Sequence, residues 1–63
     1  MFFKKLKLNK ALTAVAREVV DENMSPKERN AFVKFSSKKI VKKFGGERKE
    51  IMREVNKVIK SFQ

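Results

Sequence analysis

The stretch Ser25–Phe44, SPKERNAFVKFSSKKIVKKF, decides the fold. Ser25 is a residue whose hydroxyl accepts from an orphan amide of the first helical turn. Pro26 suits the first helical position, and Glu28 stands where a capping box needs its returning acid. At the other end Gly45-Gly46 supplies the left-handed backbone with which helices commonly stop. Lys42 and Lys43 fall in the last turn, where the helix dipole favours cations. Between these signals Phe32, Val33, Ile40, Val41 and Phe44 share one broad apolar side at helical spacing. The spacing predicts a helix over 25–44.

Working outward, Ile51, Met52, Val55, Val58, Ile59 and Phe62 form a second apolar stripe and predict a helix over 47–62. Glu50 with Arg53, and Glu54 with Lys57, are spaced for intrahelical ion pairs. Upstream, Leu8, Leu12, Val15 and Val19 fall at i, i+4, i+7 and i+11, flanked by Ala11 and Ala16. They predict a helix over 9–23 with Asn9 as its N-cap. Leu6-Lys7-Leu8-Asn9 alternates in polarity, so residues 1–8 read as a short extended basic arm. The expected fold class is all-α: one domain over residues 1–63, a small three-helix bundle with that arm in front. Short connections favour antiparallel packing or a tight corner. Ser36 and Ser37 fall on the inward side of the middle helix, where small residues let helices approach.

Composition narrows the chemistry. A chain of 63 residues buries only about 60% of its unfolded surface, so its stability is marginal. Cysteine and histidine are absent, which excludes a disulfide and a Cys/His metal site. No Asp-rich calcium loop occurs. Tyrosine and tryptophan are also absent, and Gly45-Gly46 is followed by Glu47, an acid that would repel a phosphate. The expectation is a protein without catalysis, cofactor or small-molecule substrate. No run approaches the roughly 18 apolar residues of a membrane span. Lys4, Lys5 and Lys7 interrupt the apolar Met1-Phe2-Phe3 before a secretory core forms, so the expected location is cytoplasmic.

Charge then gives the direction. Seventeen Lys and Arg stand against seven Asp and Glu, a net +10. Residues 25–44 hold seven bases and one acid, and residues 1–10 hold four bases and no acid. Residues 11–24 run the other way, with one base and three acids. On the middle helix Lys34, Lys38, Lys39 and Lys42 lie opposite the apolar side, and Phe35 falls among them. Such a face attracts polyanions, because lysines neutralise phosphates and release counterions. An aromatic ring there can stack on a base. The candidate nucleic-acid-binding residues are therefore Lys34, Phe35, Lys38, Lys39 and Lys42, with Lys4, Lys5 and Lys7 of the arm assisting.

Other readings share these features. The basic face and Phe35 suit docking on an acidic protein surface, for example that of a nucleic-acid enzyme. Phe35 suits a homodimer interface, or a cover by Phe2 or Phe3. The middle helix, with a basic and an apolar side, has the pattern of a membrane-surface helix. Arg48 and Lys49 would meet DNA if the last two helices formed a helix-turn-helix. Residues 2–44, an alternating segment, a helix, and Met24-Ser25 with Glu28 opening a second helix, resemble ribbon-helix-helix repressors. That resemblance implies a strand that pairs with its copy and enters the major groove. Two positions depart from that family's pattern: Arg29 follows the acid, and Asn23 holds the place of a glycine.

Overall fold

The computed structural model describes residues 2–63, with side chains from residue 5 onward. Three helices follow one another: α1 (Phe2–Asp21), α2 (Pro26–Phe44) and α3 (Arg48–Phe62). The fold is an all-α three-helix bundle, as the three apolar stripes predict.

The ends of α2 fall where the sequence dictates. The Glu28 amide donates to Ser25 Oγ at 3.3 Å, and the Ser25 amide donates to Glu28 Oε1 at 3.2 Å. This is the reciprocal capping box. Gly45 ends the helix with φ 88° but ψ −173°, an extended glycine-only conformation rather than the expected left-handed helical one, and its amide donates to the Val41 carbonyl at 2.7 Å. The α1 terminus closes without glycine. Asn23 adopts φ 51°, one of the few side chains that tolerate it. Its amide reaches the Val20 carbonyl at 3.1 Å, and the Met24 amide reaches Val19 at 3.3 Å. That pair of bonds is a Schellman ending, with Met24 tucked against the core beside it.

The extended arm is corrected. The segment expected as an arm over 1–8 belongs to α1 from Phe2, and Asn9 lies inside the helix rather than at its cap. Lys and Leu are strong helix formers, and no Gly or Pro interrupts the run from Phe2 to Asp21. Four alternating residues do not outweigh a helix that is anchored downstream. The strand required by a ribbon-helix-helix arrangement is correspondingly missing among the described residues.

The core takes Leu12, Ala16 and Val19 from α1, Val33 and Ile40 from α2, and Ile51, Val55 and Ile59 from α3. Ala16, expected beside the stripe, is fully enclosed at its centre. Ser36 and Ser37 are buried on the inner side of α2, as expected. Phe32, Val41, Phe44 and Met52 pack half-buried around the rim. Phe62, expected in the core, is 40% exposed, with the Arg17 guanidinium 5.4 Å from its ring centre.

Helix order is up, down, up. Lys7 and Lys10 of α1 meet Lys39 and Lys43 of α2, so these helices run antiparallel. Arg29 near the start of α2 meets Asn56, Ile59 and Lys60 near the end of α3, so α2 and α3 also form an antiparallel hairpin. This is not the steep corner of a helix-turn-helix. The bundle measures 34 × 19 × 14 Å, a short rod whose length matches its longest helix.

Candidate nucleic-acid interface

Burial of Val33, Ser37 and Ile40 fixes the rotation of α2 about its axis. Lys34, Phe35, Lys38, Lys39 and Lys42 are consequently all exposed, on the side away from the core. Phe35 sits in the middle of this set and is 58% exposed. The Lys39 ammonium lies 4.7 Å from its ring centre, within cation–π range. Lys38 and Lys39 stand one turn along from Phe35, and Lys42 two turns along. Whether Phe2 or Phe3 touches the ring lies outside the described side chains.

The antiparallel pairing of α1 and α2 adds a second feature. Lys7 and Lys10 face Lys39 and Lys43 across a groove of about 400 Å³. Ala11, Ile40 and Phe44 also line it, and no acid does. Lys7 and Lys39 were legible as site residues. Lys10 and Lys43 were not, although Lys7–Lys10 and Lys39–Lys43 are each one turn apart and so share a face. The missing information was the register of the two helices, which brings together residues some thirty positions apart. Lys5 is exposed on the same stretch of α1 but does not line the groove. The side chain of Lys4 lies outside the described residues.

None of these ammonium groups is in an ion pair among the described residues. Lys57 with Glu54, at 3.4 Å, is the one ion pair among the described residues. It is exposed and belongs to α3. The expected Glu50–Arg53 pair does not close. Glu28, the single acid of α2, is spent on its cap. The Ser25 amide, then the Ser25 hydroxyl, hold its carboxyl below the ordinary value of 4.5.

Charge on α1 opposes that helix's own dipole. Lys5, Lys7 and Lys10 lie toward its positive end, and Glu18, Asp21 and Glu22 gather at or just past its negative end. Both placements are unfavourable for an isolated helix. The arrangement polarises the rod. The lysines of α1 and the last turns of α2 share one end, and Glu18, Asp21, Glu22 and Glu28 share the other.

A larger concave surface, about 560 Å³, lies along α3 and is lined by Lys49, Met52, Arg53, Asn56, Lys57 and Lys60. It is the open flank of a single helix. Glu50 and Glu54 alternate with its bases in sequence, and Lys57 is already paired. The groove between α1 and α2 is smaller, but both of its walls are basic. Among the described residues no cluster of carboxylates comes together that could hold a metal ion. No helix among the described residues is long and apolar enough to cross a membrane. No known protein family matches the chain, and no characterised protein or solved structure is detectably similar to it.

Proposed function

We propose that this chain is a non-catalytic basic protein that binds nucleic acid through phosphate contacts. The observation that carries the reading is the convergence of Lys7, Lys10, Lys39 and Lys43 on one groove, beside Lys34, Lys38 and Lys42 on α2, with no acid lining the groove and none of these lysines in an ion pair among the described residues. Unpaired lysines held together repel one another, and a polyanion relieves that repulsion while releasing its own counterions. The backward polarity of α1 fits this. Its charge does not serve its helix but does serve a surface.

The membrane-surface reading is weaker, because the apolar side of α2 is already used in the core. A homodimer centred on Phe35 would set Lys38, Lys39 and Lys42 against their own copies. Docking on an acidic protein surface is the second reading, and the exposed Phe35 ring favours it, since aromatic anchors dominate protein interfaces.

Fluorescence anisotropy with labelled oligonucleotides at several salt concentrations tests the proposal. Six to ten phosphate contacts imply a loss of roughly 10³–10⁵ in affinity between 50 and 200 mM salt. No binding at low salt, or an affinity indifferent to salt, would remove the nucleic-acid reading and leave the acidic protein surface.

A further inference from the structure

We infer that the site prefers unpaired nucleotides to duplex, with Phe35 as the platform on which a base stacks. The inference rests on the nucleic-acid reading above and names the form of the ligand.

Phe35 is 58% exposed at the centre of a lysine face. Nothing in the core needs it there, since Val33, Ser37 and Ile40 supply the inner side of α2. The ring is also oriented. The Lys39 ammonium, 4.7 Å from its centre, ties ring and cation into one unit. A base lying on this ring would carry its phosphate toward the ammonium groups of Lys38, Lys39 and Lys42, one or two turns away. Stacking and neutralisation would then act on the same nucleotide.

The preference for a single strand follows from what a duplex presents. Inside a double helix each base is covered above and below by its neighbours, so no π-face is free. A ring standing on a convex helix meets only backbone there. An unpaired strand offers a free face at every base, and aromatic stacking on it is tolerant of sequence. The lysines contribute to both forms of ligand, and Phe35 contributes to one. The ring is a single platform, so the effect is that of about one stacked base.

The test compares a labelled single strand and a duplex of the same length at one low salt concentration, using wild type, Phe35→Ala, Phe35→Trp and Lys38→Ala. Circular dichroism confirms that each variant keeps its helical content. Phe35→Ala should weaken single-strand binding by roughly tenfold to a hundredfold, the range for one stacked base, and leave duplex binding within about twofold. Phe35→Trp should restore the single-strand affinity. Lys38→Ala should weaken both forms alike. If Phe35→Ala weakens both equally, or neither, the stacking inference is overturned while phosphate binding stands. If wild type binds neither form, the nucleic-acid reading falls and this inference falls with it.

Discussion

Ser37 is completely enclosed, and its hydroxyl has no hydrogen-bond partner among the described residues. A buried hydroxyl without a partner carries its full desolvation cost, about 1–3 kcal/mol, and adds little to packing beyond its small volume. Ser37→Ala should therefore be neutral or stabilise the fold by about 1 kcal/mol, measured by urea denaturation. A clear loss of stability would mean that the hydroxyl is bonded after all. Phe35 is the opposite case, an apolar side chain left in solvent. By the same urea denaturation, Phe35→Ala should cost well below the roughly 3–5 kcal/mol of a core Phe, because more than half of the side chain is exposed. Both residues were legible from spacing, Ser37 on the inner side of α2 and Phe35 among the lysines. The fit of Ala16 was not, because three stripes do not say which small residue lies at the crossing point. Asn23 was visible only as a departure from a glycine. Its role as a left-handed helix terminus depends on the two backbone bonds that close around it.

At the scale of the element, α2 is the helix whose boundaries are written locally. Gly45 holds φ 88° with open space around it, so Gly45→Ala introduces no clash and should cost only the backbone strain. About 1–3 kcal/mol is expected, since φ 88° with ψ −173° is a conformation essentially confined to glycine, read from the same denaturation curves. The capping box makes a pH prediction. The Glu28 carboxyl is held below its ordinary value, so its contribution is present above pH 4.5 and disappears as pH falls through the lowered value. The stability gap between wild type and Glu28→Ala should be full at pH 7 and close in the acid range. A gap unchanged down to pH 2 would contradict the bond to Ser25. The first helix teaches a different lesson. Leu6-Lys7-Leu8-Asn9 alternates, yet Leu8 also begins the stripe that continues through Leu12, Val15 and Val19. The longer pattern wins, since a helix propagates cheaply once its downstream turns are packed.

At the scale of the whole molecule, charge is distributed against stability. The lysines of α1 and of the last turns of α2 gather at one end of the rod and the acids of α1 and α2 at the other, with a single exposed ion pair among the described residues. Added salt should screen the basic end and raise the melting temperature, most strongly with multivalent anions that bridge the lysines. A melting temperature that falls steadily with such anions would deny any self-repulsion there. Segment charges in the sequence pointed to a basic surface but not to the groove. That groove exists because α1 and α2 run antiparallel in one particular register, and registry between helices is a packing outcome rather than a local signal.

The central claim is that Lys7, Lys10, Lys39 and Lys43 act together on phosphates. The direct measurement is the salt dependence of single-strand affinity for wild type and for the variant with all four lysines changed to alanine. Removing four phosphate contacts should flatten the slope of log affinity against log salt by about three. An unchanged slope, with affinity retained, would show that the groove does not meet the nucleic acid.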